Sequence, residues 1–375
     1  MIAAVRSHIS VNEPILYVAF ELAKKQWKLA LTSGFGVPAI VRTVSSGDWD
    51  AVGHALTLAR GRFGVGAEAT VVSCYEAGRD GFWIHRALVA RGIGNRVVDS
   101  SSIDVKRRAR RMKTDRIDAL KLVHMLVRAC AGEADVWREI RVPTLAAEAA
   151  RHGSRERRAL TQEQTRLVNQ LRSWLATMGA SLPKQRPEGW WTTMRDWAGD
   201  SLAAPLQQRI ARVHARLRLI AEQLATVETA QHQVVAAAPA ASALHRLVQL
   251  KGVATTSATV LMDEGLEWRA FTNRRQVGGL LGFAPLKYES GDSSRDQGIS
   301  RAGNDRLQGT MVQLAWSWVQ WQPQSALTRW YLERFGTGKR ARKIGIVALA
   351  RKLLIALWRW ATMGIVPVGA LLKPA

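Results

Sequence analysis

Cysteine is nearly absent from this chain of 375 residues: only Cys74 and Cys130 occur. Two isolated thiols build neither a disulfide framework nor a zinc cluster, so the sequence points to a reducing cytoplasm. A long uninterrupted apolar run is missing too. The opening segment, MIAAVRSHISVNEP, holds nothing long enough for a signal peptide. Residues 344–372 are apolar, but Arg351, Lys352 and Arg359 interrupt them. A membrane-spanning helix needs about 20 mostly apolar residues, so this stretch predicts a buried amphipathic helix and no membrane partner. Acid is also short. Against 54 Lys and Arg stand 30 Asp and Glu, a net charge of +24. That excess calls for a polyanion, with nucleic acid first and an anionic membrane surface second. A merely basic surface is the plain alternative.

What is present is ample apolar material, at 47% of the residues, enough for a sizeable core. Residues 15–20 (ILYVAF) read as a buried strand. Residues 27–33 and 39–46 follow around a Gly/Pro turn and suggest a meander. Residues 69–75 form another apolar run, 82–91 have helical spacing, and 94–99 read as a strand again. Strands first adjacent, then alternating with helices, predict an α/β domain over 13–135. From about 144 to 235 the texture turns helical: Leu160, Leu167, Leu171 and Leu175 form one stripe, and Ile210, Val213, Leu217, Ile220, Leu224 and Val227 a second. These predict two long helices, an antiparallel pair, in a connector over 136–242. A Trp/Pro/Gly insert, LPKQRPEGWW, separates them, and AAAPAAS at 236–242 reads as a linker. The rest, 243–375, is Gly-punctuated and mostly helical.

KTDRIDA, residues 113–119, is the sharpest local feature. Asp115 and Asp118 are three apart, so they share one face at the start of a helix. Adjacent carboxylates repel unless a cation neutralises them, and hard oxygen ligands suit Mg²⁺ or Mn²⁺. An ordinary acidic first turn facing the helix dipole gives the same pattern. Glu21 and Glu76 end apolar runs, in AFELAKK and SCYEAG. Acids placed where buried strands stop point into the crevice of an α/β sheet. Four such carboxylates can hold two ions about 4 Å apart. Lys106, Arg107, Arg108, Arg110, Arg111, Lys113 and Arg116 crowd the approach to the aspartates. They suit a phosphate backbone entering the site, or a solvated helix face. Lys339, Arg340, Arg342 and Lys343 belong to a tail that has no acid after Glu333. Trp316, Trp318, Trp321 and Trp330 cluster nearby, either as stacking platforms or, more simply, as core.

Strand-acid-AKK, strand-Glu-AG and KTDRIDA, in this order, resemble the RuvC-like domain of the DEDD insertion-sequence transposases, the bridge-RNA-guided recombinases. The first acid of that family is usually Asp in a GIDVAK-like segment; here Ala19 stands for Gly and Glu21 for Asp. The resemblance extends to the C-terminal part. Residues 247–264 (LVQLKGVATTSATVLMDE) resemble a helix-hairpin-helix, with Ala254 for the usual second glycine. Residues 279–307 are Gly- and Ser-rich and read as a loop. In it YESG resembles the family's nucleophile motif, which maps onto Ser290, with Ser293 and Ser294 as alternatives by composition. No histidine stands near it in sequence to act as its base.

The resemblance implies an RNase H-like mixed sheet, a helical connector and a mostly helical transposase domain. It further implies metal at Glu21, Glu76, Asp115 and Asp118, a covalent phosphoserine link to DNA, and an element-encoded guide RNA. Dimers pairing into a tetramer on DNA are implied as well. Lys287 and Arg295 stand near enough to Ser290 in sequence to help hold the phosphate. Two rivals stay open. One is a Holliday-junction-type nuclease using metal and water; the other is a non-enzymatic nucleic-acid-binding protein.

Overall fold

The structure is a computed structural model that describes residues 14–103, 114–283, 285–290, 293–299, 303–336 and 338–374, with backbone alone at 101, 285–290 and 293–298. The chain divides into two compact units that part between Val142 and Pro143.

The first unit is built on a sheet of β1 (Ile15–Leu22), β2 (Gln26–Thr32), β3 (Ile40–Ser45), β4 (Thr70–Glu76) and β5 (Gly94–Val98), in the order β3-β2-β1-β4-β5. The first three strands are antiparallel neighbours, whereas β1, β4 and β5 run parallel. Helices α1 (Trp49–Phe63) and α2 (Trp83–Val89) join the strands, and α3 (Asp115–Cys130) follows β5. Strand alternation splits the core in two. Leu16, Val18 and Phe20 point one way, with Val52 and Ala55 of α1 and Ile84 and Leu88 of α2. Ala19, Ala30, Val72 and Cys74 point the other way, onto Ala119, Leu122, Val123 and Leu126 of α3. Covering on both faces explains why the first strand reads as an unbroken apolar run. The small residues on the second face let α3 lie close: the Cys74 sulfur is 3.9 Å from the Leu122 carbonyl oxygen. The α/β reading holds here with its strand sites. Helix α1 has no counterpart in the sequence reading, although Val52, Ala55, Leu56 and Ala59 are spaced as one helical face.

The second unit begins with α4 (Leu145–Thr177) and α5 (Ala204–Ala236). Ion pairs Arg157–Glu228 and Arg216–Glu163 link rising numbers on one helix to falling numbers on the other, so the pair is antiparallel. Its seam is the predicted one, Leu167, Leu171 and Leu175 against Ile210, Val213 and Ile220, closed at one end by Trp190 from the insert. Then come α6 (Ala243–Gln249), α7 (Thr255–Leu261), a π-helical turn at Met262–Leu266 and α8 (Arg274–Gly279). Next are β6 (Pro285–Ser290), β7 (Ser293–Ile299), α9 (Asp305–Trp321), α10 (Ala326–Phe335) and α11 (Lys339–Met363). Helix α11 is the expected buried helix, with Leu349, Leu353, Leu354 and Leu357 at the centre of the core. Among the described residues no helix is long and apolar enough to cross a membrane. Trp318 is fully buried, and Trp330 packs against the same core. Trp316 and Trp321 are exposed, beneath Arg342 and Lys251 respectively.

The segment 279–307, expected as a loop, contains an antiparallel hairpin, with Ser290 paired to Ser293 and Tyr288 to Arg295. Two runs separated only by Gly291-Asp292 are a hairpin pattern, and the polar composition concealed it. The expected helix-hairpin-helix segment forms two seven-residue helices around a turn at Gly252. That turn is pinned against α9, because Ser317 donates to the Gly252 carbonyl and Gln322 to that of Lys251.

Gln322 is fully buried and joins three segments. Its amide donates to the carbonyls of Lys251 and Leu371, both at 2.8 Å, and its oxygen accepts from the Leu371 N–H at 2.7 Å. Gln322→Leu keeps the volume but strands the Lys251 carbonyl and the Leu371 N–H, at about 1–3 kcal/mol each, while the Leu371 carbonyl keeps its bond from the Lys251 N–H. It should lower the unfolding free energy by about 2 kcal/mol or more in urea titration. A loss under about 1 kcal/mol would show that the side chain does not hold these segments together.

Candidate carboxylate and serine sites

Glu21 shares strand parity with Tyr17 and Ala19, and Glu76 with Val72 and Cys74, so both side chains emerge on the α3 face. The parallel register pairs Ala19 with Cys74 and Phe20 with Tyr75, and one more step sets Glu21 beside Glu76. The direction of α3 follows from two neighbours. Leu122 lies at the level of Cys74, and Cys130 acts on the hydroxyl of Tyr17, early in β1. Helix α3 therefore runs antiparallel to β1, and its first turn lies over the strand ends. Asp118 stands one turn before Leu122, and Asp115 two turns before it. At 1.5 Å per helical residue and about 3.3 Å per strand residue, that rise matches the step from Cys74 to Glu76. The four predicted acids thus lie at one end of one layer. Thr114 caps the helix, its hydroxyl accepting from the Ile117 N–H at 3.4 Å. Glu21 and Asp118 are half-buried; Glu76 and Asp115 are exposed.

These oxygens suit a hard divalent cation in kind and in placement. Among the described residues, however, no three His, Cys, Asp or Glu side chains stand close enough together to hold an ion. Arg107, Arg108, Arg110, Arg111 and Lys113 lie outside the described residues.

Ser290 ends β6, with Ser293 opposite it in register, Ser294 opposite Glu289, and Lys287 opposite Asp296. The base of this hairpin is firmly held. A Cβ on Gly303 would meet the Leu281 carbonyl carbon at 2.3 Å, so only glycine lets the returning chain pass. The Asn304 N–H donates to the Leu280 carbonyl at 3.1 Å, and the Gln308 amide to that of Leu281 at 2.7 Å.

Asn304 also leads to a charged core that the sequence reading missed. Its carboxamide oxygen caps α9, accepting from Arg306 and Leu307, while its nitrogen donates to Glu264 at 3.2 Å. Glu264 is only 2% exposed. Arg155 of α4 grips it with two bonds, at 2.8 and 3.2 Å. Burial would raise the Glu264 carboxyl, but the hydrogen bonds from Arg155 and Asn304 outweigh it and hold its pKa below the usual value. Asp263 next door is treated differently. Burial, backed by the charges of Glu267 and Glu264, pushes it up to about 7 against the Ser154 hydroxyl and the buried Arg151. Among the described residues, one oxygen of Asp263 and the Nε of Arg151 have no hydrogen-bond partner. The available signal was the acid pair in LMDEGL, an odd choice for an otherwise apolar helical stretch; its partner, 109 residues away, was invisible.

Comparison with known proteins places the chain among transposases by sequence. The family model described as Transposase IS116/IS110/IS902 family matches residues 244–330, which hold Glu264, the hairpin and α9. Over its whole length the chain resembles y4rJ of Sinorhizobium fredii, named as a transposase, at 38% identity over 97% of this chain and 96% of the relative. The chain belongs to the IS116/IS110/IS902 transposase family. A second S. fredii protein, y4qE, also named as a transposase, is 28% identical over 77% of this chain and 74% of its own. The transposase for insertion sequence element IS1328 of Yersinia enterocolitica is 26% identical over 56% of this chain and 62% of its own. In this transposase the basic residues Lys339, Arg340, Arg342 and Lys343 fall in the opening turns of α11 and are exposed. Cations at the positive end of a helix dipole are unfavourable alone, and an anionic partner offsets that cost.

The raised Asp263 carboxyl has a signed consequence. A folded-state pKa above the unfolded one means that the folded chain binds more protons between 3.8 and about 7. Its contribution to stability therefore falls as pH rises through that window and levels off above it. Asp263→Asn should remove this slope, so the variant gains stability relative to the parent between pH 4 and 7 in parallel urea titrations. Curves that stay parallel would show that Asp263 titrates normally.

Proposed function

We propose that this transposase moves an insertion sequence by cutting DNA and joining the ends through a covalent intermediate on Ser290. The carrying observation is the collection of Glu21, Glu76, Asp115 and Asp118 at the ends of the parallel strands, under the first turn of α3. The strand order, with α3 on one face and α1 and α2 on the other, supports a RuvC-like, RNase H-like unit. In this reading the four carboxylates hold Mg²⁺ or Mn²⁺. Such an ion, when bound, draws charge from a phosphodiester as its ester bond changes.

The protein's own groups supply the rest. The Ser290 hydroxyl gives up its proton and bonds to phosphorus, and a DNA oxygen leaves and takes a proton. A hydroxyl on a second DNA end then reverses the exchange, so each break conserves an ester bond and no high-energy cofactor is consumed. Lys287 and Arg295, on the two strands of the hairpin, and the basic start of α11 hold backbone phosphate. An element-encoded RNA supplies the guide, and the protein works in the cytoplasm as dimers that pair on DNA. A metal-dependent nuclease is the rival, and it needs no serine.

Ser290→Ala should bind DNA yet leave no labelled DNA attached to protein on a denaturing gel, while Ser293→Ala and Ser294→Ala keep the adduct. Cleavage by the parent without any adduct would favour the nuclease. Asp118→Ala, and likewise Glu76→Ala or Asp115→Ala, should cut strand transfer by at least about 100-fold with an unchanged melting temperature. Full activity in excess EDTA would remove the metal from this reading. Protein purified from its host should carry one discrete RNA, bound with a steep salt dependence; random RNA, with recombination surviving ribonuclease, would remove the guide.

A further inference from the structure

We infer that the groove between α4 and the start of α9 is a cradle for the phosphate backbone of a DNA strand, in which Arg158 and Arg306 are the contact residues and Arg155 is a positioning residue. This rests on the transposase reading above and gives it a binding surface that sequence reasoning did not reach.

The groove has two connected lobes, of about 320 and 490 Å³. Arg158, Gln162 and Arg306 line both, so they stand where the lobes meet. Among the described residues its only acids are Glu264 and Asp305. Charge there is unbalanced. Arg155 is committed to Glu264, and Arg157 to Glu228. Arg306 reaches Glu264 only at 3.9 Å and is exposed. Arg158 is exposed and has no ion pair among the described residues. Four arginines line the groove against two carboxylates, so positive charge is left over around Arg158 and Arg306, and an anion entering between them offsets their repulsion. Phosphate fits, because the guanidinium fork presents paired donors to its oxygens.

The buried carboxylate makes this a built surface. Glu264 fixes Arg155 from one side and, through Asn304, fixes the cap of α9 that carries Arg306 from the other. The two walls thus keep their spacing when the groove is empty. The same Asn304 continues into the base of the β6–β7 hairpin. A strand lying in this groove therefore passes beside the element that ends in Ser290, which favours DNA, the strand to be cut, over RNA.

The test uses full-length Ser290→Ala protein, so that binding is read without chemistry, with labelled 30-base-pair DNA and an RNA hairpin of equal length. Fluorescence anisotropy is measured from 50 to 400 mM salt. Arg158→Gln should lower the slope of log affinity against log salt for DNA by about 1, and Arg158→Gln with Arg306→Gln by about 2. RNA binding should stay within twofold. Arg166→Gln, on α4 outside the groove, should leave the DNA slope unchanged. Melting temperatures confirm that each variant is folded, and Arg158, having no ion pair to lose among the described residues, keeps the test decisive if the double variant fails. Equal slopes for all variants would overturn the cradle while leaving DNA binding intact. A fall confined to RNA would overturn the assignment to DNA. Failure of the Ser290→Ala parent to bind DNA would overturn the transposase reading itself, and the cradle with it.

Discussion

Glu264 carries a charge where water scarcely reaches it, and much of the second unit is arranged around supplying what water would have given. A buried carboxylate without partners costs several kcal/mol, far beyond what a marginally stable fold can absorb. Two bonds from Arg155, one from Asn304 and the nearby charge of Arg306 meet that demand. Because these groups come from α4, the hairpin base and the first turn of α9, satisfying one carboxylate fixes three segments at once. The π-helical turn at Met262–Leu266 fits this account. An extra residue in the turn re-aims side chains, and such turns recur where function overrides regularity. Asp263, one residue earlier, is left short of partners and stays protonated to higher pH, so below about pH 7 the turn holds one charged and one protonated carboxyl side by side.

The first unit handles its acids in the opposite way. Its sheet is apolar on both faces, and among the described residues no carboxylate is buried in its core. Glu21, Glu76, Asp115 and Asp118 come where strands end and a helix begins, at the rim of the layer. There water or a cation can reach them, and repulsion among them costs little until something draws them together. Small residues on the α3 face, Ala19, Ala30 and Cys74, bring the helix close enough to set its first turn over those ends. The same construction that removes the core from water thus places the acids beside it. One unit uses buried charge to fix architecture, and the other places its carboxylates at the rim of the sheet.

Much of this was legible in the residues. The runs ILYVAF and TVVSCY are apolar because both faces of their strands are covered, and periodicity therefore located them. Leu167, Leu171 and Leu175 announced α4, and KTDRIDA announced the start of α3, since a threonine cap and acids three apart are local features. The hairpin at 285–299 was less visible. It is polar, and no alternation of apolar residues marks its strands.

The sequence by itself determined the alternation of buried runs, the helix starts and seams, the excess of base over acid, and which acids stand at element ends. Those properties are encoded by neighbours within a few residues of one another. Only the tertiary structure decided that Glu21 and Glu76 share a face with the first turn of α3, because that depends on a parallel register between distant strands and on the direction of a helix. It alone decided that Arg155 answers Glu264, that Asn304 ties this pair to the hairpin, and that Arg158 and Arg306 line one groove. Burial and charge compensation act through space, and the partner that makes a buried charge tolerable can lie 109 residues away, where no local pattern records it.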